Sequence, residues 1–226
     1  MKLSVKYASG GALKTVRQLI TSTVTWTKPV RFVEGSLVVT GTGGGASGCS
    51  SGATSIAGAN AGEWVYRMPL DVSAVSSLLV TIGAGGVAVN GGGVNTAGNA
   101  GGATTLGALL SLAGAAATLA TAGRATTVGG ARGGLSTTNV AHENAAQSNM
   151  SAIGGNAGCN TSVITGSSPC GAGGIVVDGS GKKAGDYNAF GGGIGYGAGG
   201  ASSNLNSAPS GAGANGVVLL EWEEQQ

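Results

Sequence analysis

Apolar and polar residues alternate with a period of two in three stretches of this sequence, which is the pattern of half-buried β-strands. The clearest stretch is 63–72, EWVYRMPLDV, where aromatic and apolar side chains fall on one face. The stretch 77–83, SLLVTIG, repeats the alternation, and 216–222, GVVLLEW, carries it near the C-terminus. These three stretches therefore predict strands.

Two further strands are predicted early in the chain. The stretch 21–29, TSTVTWTKP, is rich in β-branched residues and ends at Pro29, which cannot continue a ladder. The stretch 32–42 has Leu37, Val38 and Val39 at its centre. About five strands result, and we expect the last one to return and pair with the early ones. The first 20 residues are compatible with a strand, a short helix or an arm.

The middle of the chain, from about residue 83 to 213, is dominated by glycine clusters. Glycine supplies 47 of the 226 residues, and aromatic residues make up only 4%. A collagen repeat is excluded because glycine does not recur at every third position over a long run. Extended threefold helices of the polyproline-II shape have no internal hydrogen bonds, but bundled glycine helices can satisfy each other's backbone groups. The hypothesis is a packed bundle of polyglycine-II-like helices.

The predicted fold class is therefore mainly β and irregular. A small antiparallel β-base of about five strands carries a glycine-rich bundle of polyglycine-II-like helices with projecting loops. The predicted parts are an N-terminal arm or attachment segment (1–20), a base (21–86 plus 214–226) and a glycine-rich domain with recognition loops (87–213). The tryptophans Trp26, Trp64 and Trp222 are expected in the core of the base, and Tyr196 is expected to be packed.

Charge excludes several classes of function. The chain has 11 basic and 9 acidic residues, a net charge of +2, and no charge between Ser73 and Gly123. No basic stripe exists to neutralise phosphates, so nucleic acid is not an expected partner. Lys6, Lys14 and Arg17 interrupt any signal-peptide core, and the apolar window 104–123 is diluted by Gly, Thr and Ser. Neither export nor membrane insertion is expected.

No catalytic, cofactor or metal motif is convincing. Gly43, Gly45 and Gly48 fit the dinucleotide spacing, as do Gly195, Gly197 and Gly200, but no helix pattern follows either set to receive a pyrophosphate. A single histidine, His142, has no nearby partner for a metal or a catalytic triad. We therefore expect no enzyme activity, no cofactor and no metal.

Three cysteines are present, at positions 49, 159 and 170. Cys159 and Cys170 bound a short loop and are able to pair. An odd number of cysteines without an export signal favours buried thiols instead.

Several motifs, in this order, carry a family resemblance. Trp26-Thr27-Lys28-Pro29 precedes SLVVTGTGGG, and Gly62-Glu63-Trp64 precedes VTIGAGG at 80–86. Gly195-Tyr196-Gly197 and the final GVVLLEW follow. Over residues 21–223 the chain resembles the glycine-rich tail-fibre and receptor-binding tip adhesins of tailed bacteriophages, of the polyglycine-II sandwich type.

The resemblance implies a viral, virion-located protein of the phage tail that attaches to the host. Its partners would be a bacterial outer-surface receptor (protein or glycan) and other phage tail proteins, as a single chain or a homotrimer. One alternative is a structural virion component of the tail, baseplate or capsid with the same fold and no receptor binding. A bacterial glycine-rich surface protein is a third class, disfavoured by the missing export signal.

In such adhesins a rigid glycine scaffold carries loops that contact the receptor. Polar and aromatic residues suit such loops because they give contact area and adaptable hydrogen bonds. Four segments are candidates: 135–153, 159–170, 182–190 and 202–210. The predicted receptor-binding residues are Asn139, His142, Asn144, Asn160, Asp186, Tyr187, Asn188, Phe190, Asn204 and Asn206.

Overall fold

The computed structural model describes residues 11–50, 59–90, 95–117, 196–200 and 209–226. In these ranges the protein is mainly β, with two antiparallel four-stranded sheets and no helix. The strands of the described residues are β1 (Leu13–Ile20), β2 (Val24–Thr27), β3 (Val38–Thr42), β4 (Trp64–Pro69), β5 (Ser77–Thr81), β6 (Thr104–Leu106), β7 (Leu110–Leu112) and β8 (Val217–Gln225).

The C-terminal strand occupies the interior of the first sheet, whose strand order is β1-β8-β3-β4. Leu220 of β8 lies opposite Gln18 of β1 on one side and Val39 of β3 on the other. The prediction that the last strand returns to pair with the early ones is confirmed. The second sheet has the order β2-β5-β6-β7.

Side chains from both sheets form one hydrophobic core. Val39 and Leu220 of the first sheet are fully buried together with Val80 and Leu106 of the second. Trp26 packs edge-to-face on Trp222 and Phe32, with ring centroids 6.0 and 6.1 Å apart. Such aromatic pairs contribute about 0.5–1.5 kcal/mol each beyond the area they bury.

The three tryptophans are buried, as predicted. Trp26 and Trp222 belong to the main core. Trp64 lies in a smaller cluster with Val217, against which Tyr66 and Tyr196 pack. Tyr196 is packed and only partly exposed, as expected.

The described residues contain eight strands, where the sequence predicted about five. β1 lies in the stretch whose structure the sequence left open, and most of its side chains are exposed, so pairing with β8 rather than burial makes it a strand. β6 and β7 have three residues each, too few to display a period of two. They come from the glycine-rich stretch and complete the second sheet.

A buried carboxylate ties three strands of the first sheet together. The Glu221 side chain is only 6% exposed. Its Oε1 accepts from Nε of Arg17 at 2.8 Å, and its Oε2 accepts from Nη1 of Arg67 at 3.0 Å. Because two guanidinium groups neutralise it, this carboxylate can lie in the sheet without the full cost of an unpaired buried charge.

In the described ranges, seven segments without helix or strand structure lie beyond the sheets. Six of them adjoin a strand of the base in the chain, either directly or with one residue between. We name them segments I (43–50), II (59–63), III (83–90), IV (95–102), V (113–117), VI (196–200) and VII (209–216). The two sheets therefore form a base, and the seven segments form a bundle above it.

Segment I is the centre of the bundle, and all of its residues are buried. The amides of Gly43 and Ala46 donate to segment II, and that of Gly45 donates to Ala214 of segment VII. The amides of Gly44, Ser47 and Ser50 donate to Gly102, Asn99 and Thr96 of segment IV. Donors three residues apart thus reach acceptors three residues apart on the same neighbour, at 2.8–3.0 Å.

Segment I accepts hydrogen bonds from the other three neighbours. The carbonyl groups of Gly44, Gly45 and Ala46 accept from segments V, III and VI respectively. Further backbone hydrogen bonds join the outer segments in the closed order II-VI-VII-III-IV-V. Segment I is therefore enclosed by six segments, which alternate as acceptors and donors around it.

Glycine permits this close approach of backbones. A methyl group at Gly44 would overlap the carbonyl oxygen of Ala84, and one at Gly45 would overlap that of Ala198. A methyl group at Gly101 would overlap the carbonyl oxygen of Gly44. These neighbours are backbone atoms that a rotamer change cannot move. The glycines are thus required by packing between segments, which explains their density.

We predict that Gly101→Ala destabilises the protein by about 3 kcal/mol or more, because overfilling a packed site costs about 1–3 kcal/mol and the backbone hydrogen bonds beside it are strained too. Chemical denaturation measures the change. The matched control is Ala100→Val on the adjacent exposed residue, which should change the free energy of unfolding by about 0.5 kcal/mol or less. Equal effects of the two substitutions would contradict the close-packed bundle.

Candidate functional site

The end of the bundle away from the base, here called the distal end, is formed by residues from four segments. Ser50 of segment I lies beside Thr96 of segment IV, and Asn90 of segment III pairs with Pro209 of segment VII. All four lie at the far ends of segments whose other ends lead to strands of the base. They mark one plane across the bundle.

Backbone hydrogen bonds hold this plane. The amide of Ser50 donates to the carbonyl of Thr96 at 3.0 Å, and Thr96 returns the bond at 2.7 Å. The amide of Ser210 donates to the carbonyl of Val89 at 2.8 Å, and the amide of Val89 donates to Ser210 Oγ at 3.1 Å. The backbone at the distal end is therefore fixed by hydrogen bonds between neighbouring segments.

Three connections between described segments have both of their ends at this same end of the bundle. Segments I, III and VI run from the base towards the distal end, and their last described residues are 50, 90 and 200. Segments II, IV and VII run back from residues 59, 95 and 209. Segment V also ends distally, at residue 117. Segment VI begins at the base end instead, where Tyr196 packs against Trp64 and Val217. Three of the four connections between the described segments of the bundle therefore start and finish at the distal end, and the sheets lie at the base end.

Charge is segregated along the molecule. In the described residues, segments I to VII carry no charged side chain except Glu63, which borders the base and accepts from the Ala113 amide. The other charged residues of the described ranges lie in the base: Lys14, Arg17, Lys28, Arg31, Glu34, Arg67, Asp71, Glu221, Glu223 and Glu224. The described residues of the distal end therefore offer neutral groups only: amides, hydroxyls and small apolar side chains.

The predicted receptor-binding residues fall outside the described ranges. Eight of them lie within 118–195, namely Asn139, His142, Asn144, Asn160, Asp186, Tyr187, Asn188 and Phe190. Asn204 and Asn206 lie within 201–208. Cys159 and Cys170 are likewise outside. Cys49 is inside, buried in segment I as a thiol rather than in a disulfide.

The glycines that match the spacing of a dinucleotide motif take part in hydrogen bonding within the bundle. The amides of Gly43, Gly45 and Gly48 all donate to carbonyl groups of neighbouring segments. The amides of Gly197 and Gly200 do the same. These N–H groups are engaged inside the bundle and form no phosphate cradle.

Two searches of the described residues found nothing further. Within those ranges, His, Cys, Asp and Glu side chains form no group of three suited to a metal ion. The same part of the chain contains no helix with the length and apolar character needed to cross a bilayer.

Comparison with known proteins identifies the family. A family model described as a glycine-rich domain matches residues 18–223, which include the seven segments of the bundle, strands β2 to β7, the end of β1 and most of β8. The chain belongs to this glycine-rich domain family. A search of curated proteins found no match.

Sequence reasoning missed Asn90 and Asn95 at the described distal end, whereas Pro209 lies within the candidate segment 202–210. Asn90 and Asn95 flank the connection 91–94, and both side chains are exposed, as is Pro209. Each of these residues is the polar or proline residue at the boundary between a glycine-rich segment and a connection. This position could have been used for prediction only if the direction of every segment had been known.

We predict that Ser210→Ala weakens the distal end selectively. The substitution leaves the Val89 amide without its hydroxyl acceptor, and an unpaired donor in a buried position costs about 1–3 kcal/mol. Hydrogen exchange at Val89 should accelerate by at least about tenfold, while exchange of β8 amides should not change. The control is Ser77→Ala, at an exposed position of β5. Uniform acceleration across the protein would show that the distal end does not open independently.

Proposed function

We infer that segments I to VII are polyglycine-II helices. The threefold recurrence of hydrogen-bond partners along segment I supports this assignment, because a helix with three residues per turn presents every third amide in one direction. The hydrogen bonds run between segments rather than within them, as this conformation requires. Enclosure of one segment by six others is the packing expected of parallel rods.

Backbone torsion angles test this assignment. Chemical shifts of residues 43–48 should report φ near −75° and ψ near +145°, distinct from the more extended values of the strands. Hydrogen-bond couplings should connect the Gly45 amide to the Ala214 carbonyl. Because unfolded chains also populate this conformation, slow amide exchange at these residues is required as well. Strand-like angles, or a far-UV spectrum dominated by α-helix, would contradict it.

We propose that this protein is a tail-fibre or tail-tip protein of a phage virion that binds a bacterial surface receptor. The observation that carries the proposal is the separation of the two ends. The chain forms its sheets at one end, and three connections between described segments have both of their ends at the other, with a hydrogen-bonded bundle between them. The family resemblance of the ordered motifs from Trp26 to Trp222 supplies the biological setting.

The physical basis of the proposal is preorganisation. A loop that is fixed on a rigid scaffold loses less conformational freedom on binding than a free loop does. The six-neighbour bundle supplies such a scaffold. In this proposal the base mounts the protein on other tail proteins, as a single chain or a homotrimer, and the distal end faces the cell.

Adsorption tests the function. The full-length protein, fluorescently labelled, should bind cells of at least one strain in a panel of bacterial hosts. It should also compete with a phage that carries it for attachment to that strain. A protein that binds no strain and blocks no infection would contradict receptor binding, and the structural virion component would then be the better account.

Replacing residues 182–190 with a Gly-Ser segment of equal length examines the predicted loop residues Asp186, Tyr187, Asn188 and Phe190. We expect adsorption to fall by at least about tenfold while the unfolding midpoint stays unchanged. The control replaces exposed residues of the base, with Thr25→Ala and Ser77→Ala together. Unfolding of the loop variant would assign these residues to the scaffold instead.

A further inference from the structure

In the described residues, four edge strands bound the two sheets: β1 and β4 in the first, β2 and β7 in the second. β2 has four residues and β7 has three. β4 has a register shift against Val39–Gly41, contains Arg67 with a φ of 45°, and ends at Pro69. Short length, bulges and proline protect edge strands from further pairing. β1 has none of these features, because its eight residues include no glycine or proline and keep one register against β8.

The backbone groups of β1 divide between β8 and the outside of the sheet. The Gln226 amide donates to the Ala12 carbonyl, and in antiparallel pairs the hydrogen-bonded positions alternate along the strand. On the opposite side of β8 the Glu223 carbonyl accepts from the Val33 amide, as this alternation requires. The odd-numbered residues of β1 therefore direct their N–H and C=O groups away from β8, where the described ranges contain no further strand. These residues, here called the open edge, are Leu13, Thr15, Arg17 and Leu19.

The side chains of the open edge are exposed as well. Leu13 and Leu19 are large and apolar, yet they are 58% and 41% exposed. A further strand beside β1 would cover both leucines with apolar side chains at directly opposite positions. The same strand would supply partners for the outward N–H and C=O groups. The open edge is therefore complementary to an extended segment.

Charge selects among extended segments. On its paired side β1 already lies beside an acidic strand, since Glu221 of β8 forms an ion pair with Arg17. Lys14 is exposed and forms no ion pair with the described residues. A lysine at a sheet edge disfavours pairing with neutral or basic strands, whereas opposite charges across a pair of strands are stabilising. An acidic segment is therefore the best match for the open edge.

A second copy of β1 matches this edge less well. Pairing Val16 with Val16 of a second copy brings Leu13 opposite Leu19, which suits the apolar residues. The same register places one basic strand beside another and makes the two Arg17 side chains diagonal neighbours on one face. Charge thus favours an acidic partner over self-association.

We propose that the open edge of β1 is an interaction surface that takes an extended, acidic segment of a partner protein as a further strand of the first sheet. This inference rests on the proposed mounting of the base on other tail proteins, and it names the surface and the kind of segment. Main-chain hydrogen bonds supply the affinity, and the apolar and acidic side chains of the segment supply the selectivity.

A synthetic peptide tests this surface. The probe is acetyl-VTEVTEV-amide, whose antiparallel register places its glutamates opposite Arg17 and Lys14 and its valines opposite Leu19, Val16 and Leu13. At about 1 mM peptide, hydrogen exchange of the open-edge amides in the full-length protein should slow by about tenfold or more. The control peptide VTKVTKV, with lysine in place of glutamate, should bind at least about threefold more weakly.

Thr15→Pro and Thr15→Ala form a matched pair of variants at the middle of the open edge. Both remove the hydroxyl group that donates to Glu223. Thr15→Pro also removes an outward N–H group, a change that edge strands accept where this group faces solvent. Peptide binding should be lost in Thr15→Pro and kept in Thr15→Ala. Slow exchange of the Val16 amide in both variants would show that β1 still pairs with β8.

The same two variants test the role of the surface in the particle. In phage that encode Thr15→Pro, the amount of this protein in purified particles should fall by about tenfold or more. Phage that encode Thr15→Ala should carry the normal amount. Equal amounts in the two particles would overturn the inference.

Further results would also overturn it. Open-edge amides that exchange slowly in the protein alone would show that another part of this chain already covers the edge. A dimer that Thr15→Pro disperses and Thr15→Ala does not would assign the edge to a second copy. Binding of neither peptide, or equal binding of both, would remove the acidic strand as the partner.

Receptor binding is judged by a separate measurement. Adsorption of the free protein to cells should be the same for Thr15→Pro and the unmodified protein, because the open edge lies in the base. Failure of adsorption with peptide binding intact would reject the receptor-binding function and leave the strand-accepting edge. Normal adsorption without peptide binding would do the reverse.

Discussion

Backbone hydrogen bonding between glycine-rich segments is the constraint on which the rest of this structure depends. Segment I has no side-chain core of ordinary size around it, and its amide and carbonyl groups are buried. Such groups must be paired, because an orphaned buried backbone group costs about as much as a lost hydrogen bond. Six surrounding segments supply the hydrogen-bond partners. Their backbones can approach segment I closely enough because glycine has no side chain.

The base makes this bundle possible by ordering its chains. β3 and β8 are adjacent in the first sheet, and they lead into segments I and VII, which are hydrogen-bonded in the bundle. Likewise β5 and β6 pair in the second sheet and lead into segments III and IV. Strand pairing therefore sets which glycine segments start as neighbours. The hydrophobic core stabilises the two sheets, and the pairing of their strands fixes which segments of the bundle are neighbours.

Charge is divided in the same way among the described residues. The base carries the charged side chains, including Glu221 held between two arginines, and Glu63, which borders the base, is the one charged residue within the described segments of the bundle. The described bundle is therefore held together by neutral backbone groups and small side chains.

Much of the base was predictable because its strands obey a local rule. The alternation around Trp64 and the β-branched stretch around Trp26 identify strands from neighbouring residues alone. The tryptophans were expected in the core because their side chains are large and apolar. β1 escaped prediction since its exposed side chains give no alternation, and β6 and β7 are too short to give one. The distal residues Asn90 and Asn95 were not predicted because nothing in the neighbouring sequence distinguishes them, whereas Pro209 lies within the candidate segment 202–210.

By itself, the sequence determined that glycine segments had to pack on one another and that a C-terminal strand had to close the base. Composition decides this, since residues without side chains can bury only their backbones. Which segment lies at the centre, which six surround it and which residues meet at the distal end were decided by the tertiary structure. The glycine segments have nearly the same local chemistry, so their arrangement depends on which strands they adjoin in the base and on the backbone hydrogen bonds between them.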